Sequence, residues 1–225
     1  MLGSFSLLWL LLLLNGSGES SETHPARSMR GFTIRVDARL LEAGEHETIG
    51  RDVLELLERK LFDVERAVPK PVLEELRKVT IWVEYEAKDP CAVYHPSREW
   101  LIEHDYEPGK ARCVEIANAK NFLAWTRHQP AMVIHELMHA YHHQVLGYGH
   151  AGIREAFEKA RESGAYDEVL HIQGSKKRHY ALSNEREYFA EICEAWFGTN
   201  DFFPFVRAEL KEHDAAGHAL LEKLF

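Results

Sequence analysis

The segment His135-Glu136-Leu137-Met138-His139 sets two imidazoles four residues apart with a carboxylate between them. On an α-helix that spacing is one turn, so both rings point the same way. Two nitrogens so placed can share one tetrahedral Zn²⁺. Glu136 lies beside them and reaches a water on such a metal without being a ligand. The chemistry implied is hydrolysis: zinc acidifies water and a nearby carboxylate takes its proton. The five-residue pattern is short, and its setting adds weight. Ile134, Leu137, Met138, Tyr141 and Val145 make the surrounding helix apolar, a costly place for two His and a Glu that pair with nothing. The competing reading is a pair of satisfied core histidines.

A zinc site of this kind needs a third protein ligand. His143 is one turn further along the same helix, and a straight helix carries it away from a metal held by the first two. Asp201 lies in Gly198-Thr199-Asn200-Asp201. Glu187, Glu191 and Glu194 share one face of a helix that opens at Asn184, with Phe189, Ile192, Trp196 and Phe197 on the buried side. Read from the residues alone, those acids are equally the solvated side of an amphipathic helix.

Here the chain resembles the family of anthrax lethal factor and the clostridial Pro-Pro endopeptidases, which are gluzincins: two His from one helix and a Glu from a later one. That family's later helix reads Glu-Phe-Phe-Ala-Glu, which corresponds to Glu187-Tyr188-Phe189-Ala190-Glu191. The resemblance implies Glu187 as the third zinc ligand and Glu191 as a carboxylate that orients a ligand His. It also implies a catalytic Tyr seven residues before the ligand Glu, where Tyr180 stands. These motifs span residues 135 to 191. Glu194 is left with the solvated-face reading. Val145 stands where metzincins carry their third His, which excludes that class. Asp201 is similar to the Gly-Thr-x-Asp element of aspzincins, without the Tyr-Gly that follows it there, and is kept as the alternative ligand.

The reaction expected is peptide-bond hydrolysis: zinc on His135, His139 and Glu187, Glu136 as general base, and Tyr180 as a donor to the oxyanion. The other readings are a zinc-binding relative or binding module without catalysis, and a hydrolase of non-peptide amides.

Several elements must position these groups. Phe32 to Leu40 alternates apolar and polar residues and predicts a half-buried strand. Residues 47 to 66 carry the helical period, and Pro71 to Lys78 a short helix. Val79 to Tyr85 and Cys113 to Ala119 read as strands, the second taken as the edge strand on which an extended peptide lies. Ser97 caps a short helix, Pro108-Gly109 turns, and Gly147 ends the His-bearing helix. From Gln129 the pattern is helical, with a hairpin between Val169 and Leu182. Strands first and helices later predict an α+β fold, zincin-like by resemblance, over residues 31–225 as one domain.

The amino terminus reads differently. Phe5 to Leu14 is an apolar run of signal-peptide length, followed by Gly16-Ser17-Gly18. This predicts a signal peptide over 1–18, a flexible leader over 19–30 and a secreted product with no membrane attachment after cleavage. An uncleaved anchor is the competing reading, because the first residues contain no Lys or Arg. A formal net charge of -9 excludes a general basic field for nucleic acid. The expected partner is a peptide or protein substrate, bound by a monomer. Export permits disulfides. Of Cys91, Cys113 and Cys193, the first two flank a short excursion and are the expected pair, worth roughly 3 kcal/mol; Cys193 reads as a buried hydrophobe.

Overall fold

The computed structural model describes residues 23–225, so the signal-peptide reading and the start of the leader lie outside the described residues. Five short strands form one mixed sheet: β1 Ala26–Met29, β2 Phe32–Val36, β3 Ile81–Val83, β4 Ala92–Tyr94 and β5 Val114–Ile116. Their order is β1-β2-β3-β5-β4. β2, β3 and β5 run parallel, while β1 and β4 pair antiparallel at the two sides. The register aligns Ile34, Ile81, Val114 and Tyr94 in one row, and Val36, Val83, Ile116 and Ala92 in another. Those apolar residues share one core with Val53, Leu57, Leu61 and Val64 of α1, Glu47–Ala67, a stripe at helical spacing. The fold is α+β, with nine α-helices among the described residues and a helical carboxyl-terminal half.

The opposite face carries Arg35, Trp82, Glu115 and Val93 in register. It is closed by buried charge: Lys110 Nζ lies 2.6 Å from both Glu84 and Glu115, His95 bonds Glu115 at 2.5 Å, and His24 bonds Glu84 at 2.9 Å. Burial opposes charge on all three paired groups. The ion pairs prevail, holding Lys110 above its ordinary pKa and Glu84 and Glu115 below theirs.

Several sequence expectations are corrected here. Residues 26–29, read as leader, form β1; the strand is polar and exposed, so no apolar alternation marked it. The strand expected to reach Leu40 stops at Val36. Asp37 instead caps a 3-10 turn over Ala38–Leu40 by accepting from Arg39 N–H. Gly50 of α1 packs on the Leu40 carbonyl so closely that a Cβ there would lie 1.8 Å from its oxygen.

The strand around Cys113 is not the edge. β5 pairs on both sides, and the sheet ends at β4. All three cysteines are free thiols. Cys91 O accepts from Ala117 N–H and Cys113 O from His95 N–H, which puts the two cysteines at opposite ends of the β4–β5 pair. Four residues of strand are about 13 Å, whereas a bridge needs Cα atoms within about 7 Å. Cys91 Sγ instead contacts Met132 Sδ at 3.3 Å.

The remaining helices are α2 Lys70–Leu76, α3 Arg98–Glu103, α4 Ala119–Trp125, α5 Met132–Tyr141, α6 Ala151–Ser163, α7 Glu185–Phe197, α8 Arg207–His213 and α9 Ala215–Leu224. Ser97 caps α3 as expected, accepting from Trp100 N–H. α5 is buried along its whole length, running on as a widened turn over His142–Leu146 that stops at Gly147, φ 78°. It packs against β4 on one side and α7 on the other. The expected hairpin is β6 Val169–Leu170 with β7 Lys176–Lys177. Asp214 ties the helical half together, accepting from Tyr166 OH at 3.0 Å, Tyr188 OH at 2.7 Å and Gly217 N–H at 2.8 Å. No helix of the described residues is long and apolar enough to cross a membrane.

Candidate metal centre

His135 and His139 project from consecutive turns of α5 with their rings edge to face, centroids 4.7 Å apart. α7 approaches them by its first turns. Asn184 fixes that end by accepting from the N–H groups of Arg186 and Glu187 at 2.9 and 3.1 Å. The Glu187 carboxylate is thereby aimed at the histidine pair.

Three ligand atoms converge. The two Nε2 atoms are 3.0 Å apart, and Glu187 Oε2 is 3.2 Å from each. Zinc bonds of about 2.0–2.1 Å at tetrahedral angles place ligand atoms about 3.3–3.4 Å from one another, so this triangle is near the required size.

The two ring nitrogens of His135 face different partners. His135 Nδ1 lies 2.6 Å from Glu194 Oε1, and a carboxylate accepts, so Nδ1 carries the proton. In the neutral ring Nε2 is then a lone pair, facing a second Nε2 and a carboxylate. A metal ion would satisfy all three atoms at once; without one, the Nε2–H tautomer of neutral His139 donates into the triangle. Burial opposes charge on His135. The bonds to Glu187 and Glu194 outweigh it and hold its pKa well above the ordinary histidine value. Burial likewise would raise Glu187, and the two histidines pull it well below the usual carboxylate range.

The structure brings together His135, Glu136, His139, Tyr180, Glu187, Glu191 and Asp201 around one cleft of about 400 Å³. The contacts differ from expectation at one place, the acid beside His135. The carboxylate on His135 Nδ1 is Glu194, buried to 4% exposure, not Glu191. Glu191 lies 3.9 Å from Nδ1 and accepts from Asn200 Nδ2 at 3.0 Å instead. Sequence spacing places Glu194 on a solvated face of α7, and the packing removes that face. Tyr188, Phe189, Ala190, Ile192, Cys193, Ala195 and Trp196 are all buried, so the helix is enclosed all round. An acid in such a helix has to find a partner.

Asp201 lies 3.5 Å from His171 Nε2 and is not within the converging triangle. His143 turns away, its Nδ1 2.8 Å from Tyr94 OH. Tyr180 opens a 3-10 turn over Tyr180–Ser183 and lines the cleft half exposed. Burial and the neighbouring Glu187 raise its pKa, keeping the phenol protonated as a donor. Glu136 is buried to 9% exposure in the cleft wall. Residues Pro90 to Tyr94 form the opposite rim, so β4 borders the site. Tyr148 and Arg186, which no sequence pattern marked, also line it. Comparison with protein-family models, curated proteins and solved structures finds no match to this chain.

Proposed function

We propose that this chain is a secreted, zinc-dependent endopeptidase with a zincin-like, gluzincin-type site, as its resemblance to the lethal factor and Pro-Pro endopeptidase family implies. The observation that carries the reading is the triangle of His135 Nε2, His139 Nε2 and Glu187 Oε2, with sides of 3.0–3.2 Å, at the floor of a cleft that also holds Glu136 and Tyr180. Zinc held by those three atoms supplies Lewis acidity, making water acidic near neutrality and polarising a carbonyl.

The chain's own residues do the rest. Glu194 keeps the proton of His135 on Nδ1, so that Nε2 is free to bind. Glu136 takes a proton from the attacking water and passes it to the leaving amine. The Tyr180 hydroxyl donates to the substrate oxygen as it gains negative charge. β4 offers its open edge to an extended peptide.

Purified protein should bind one zinc per chain. Glu136→Gln should keep it and lose at least a hundredfold in peptide hydrolysis, whereas Glu187→Ala should release it. Metal analysis after dialysis and cleavage of a mixed peptide library, with and without chelator, measure both. Stoichiometric zinc in Glu187→Ala sinks the gluzincin reading. Zinc binding without chelator-sensitive cleavage favours a non-catalytic module instead.

A further inference from the structure

Among the described residues Arg186 is the only Arg or Lys lining the cleft, where the acidic side chains are Glu136, Glu187, Glu191, Glu194 and Asp201. It is exposed. Among the described residues no carboxylate lies within ion-pair distance of its guanidinium, and no other Arg or Lys shares the cleft. Its sequence neighbour Glu187 does not supply the charge, because that carboxylate is turned onto His135 and His139.

The guanidinium is nevertheless held in place. It lies over the Tyr148 ring, 4.2 Å from the centroid. Tyr148 stacks on His143 at 4.6 Å with the planes 17° apart, and His143 Nδ1 meets Tyr94 OH at 2.8 Å. Tyr94 OH in turn accepts from Gln144 Nε2 at 3.1 Å. Tyr148 and His143 therefore tie Arg186 to Tyr94, the last residue of β4, beside the path of a peptide laid along that edge. A cation fixed over an aromatic ring, with its donor edge unpaired and facing a cleft, has the geometry that takes a carboxylate in two parallel hydrogen bonds.

We propose that Arg186 reads an acidic side chain, Asp or Glu, at one fixed position of the peptide substrate, at the Tyr94 end of the cleft. This rests on the endopeptidase reading and names its substrate class. The contact adds charge-assisted hydrogen bonds at a site otherwise lined by acids, so an acidic residue elsewhere along the cleft is disfavoured.

The test is a cleavage profile of a randomised peptide library, blocked at both ends, read by mass spectrometry for zinc-loaded wild type, Arg186→Gln and Arg186→Glu. Zinc content of each variant serves as the folding control. Wild type should enrich Asp and Glu about tenfold at a single position relative to the cut. Arg186→Gln should abolish the enrichment, and Arg186→Glu should replace it with Lys and Arg. Absence of acid enrichment in the wild type, or enrichment that survives both substitutions, overturns the assignment while leaving the peptidase reading intact. A wild type that cuts nothing in the library defeats the peptidase reading itself. A parallel library with free carboxyl termini separates the other source of the same chemistry. Cleavage that requires the free terminus means that Arg186 holds the end of the chain and not a side chain.

Discussion

His135 gives its two ring nitrogens to different partners, and the partner on Nδ1 governs how well Nε2 holds a cation. Glu194 has that position at 2.6 Å, and Glu191 stands 3.9 Å away with Asn200 as its own partner. Removing the charge on Glu194 while keeping an acceptor, as Glu194→Gln does, should weaken zinc binding by about tenfold or more, within the range such outer partners contribute. Glu191→Gln should change it by less than about threefold. Competition against a chelator of known affinity measures both, and the reverse order would return the orienting role to Glu191. The pair also shows what can be read from sequence at this scale. His135, Glu136 and His139 are fixed by local spacing. Glu187 needed a family pattern, since nothing in helical periodicity separates it from Glu191 or Glu194. Which acid meets His135 depends on how α7 is rotated against α5, a packing outcome that residue spacing does not encode.

At the scale of elements, the edge of the sheet beside the cleft is β4, whereas sequence reading expects it at the strand around Val114–Ile116. Strand composition around Val114–Ile116 shows burial, but the order of strands depends on pairings between segments tens of residues apart. Three-residue strands carry too little alternation to reveal them. The ladder shows which groups of β4 are left open. Cys91 O accepts from Ala117 N–H and His95 N–H donates to Cys113 O, so residues 91, 93 and 95 turn their main-chain groups to β5. By the alternation of an antiparallel pair, Ala92 and Tyr94 turn theirs outward to the cleft side. Ala92→Pro removes one outward N–H and no bond to β5, and proline is tolerated on an edge. It should therefore lower kcat/KM for peptides by about tenfold, mainly through KM, with zinc content unchanged. Steady-state kinetics on a peptide recovered from the library would check this. An unaltered kcat/KM would mean that substrate does not pair with β4.

At the scale of the whole molecule, two buried histidines outside the zinc triangle, His179 and His142, respond to acid in one direction, opposite to His135, whose raised pKa favours the folded chain as it protonates. His179 is 2% exposed, stacked on Phe202, and accepts from Ala181 N–H through Nδ1. Burial, with His213 nearby, lowers its pKa to about 3. His142 is fully buried with neither ring nitrogen bonded among the described residues, and burial lowers it to about 4. Both are neutral in the folded chain, while the unfolded chain takes up their protons near pH 6.5. Stability from these groups is therefore complete above about pH 6.5 and is lost as pH falls towards their folded values. For His179 alone the loss at pH 5 is about 2 kcal/mol, a pKa gap of about 1.5 units at that pH. Glu84 and Glu115, held below the carboxylate range by Lys110 and their histidine partners, act in the same direction below about pH 4.5. Thermal unfolding followed by circular dichroism should show the midpoint falling between pH 7 and pH 5, with chelator present throughout so that loss of metal does not contribute. His179→Asn keeps an acceptor for Ala181 N–H and does not titrate. It should unfold earlier at pH 7, because volume is lost around Tyr166 and Phe202, yet fall less steeply with pH. A slope equal to that of the unsubstituted protein would place the acid sensitivity elsewhere, at His142.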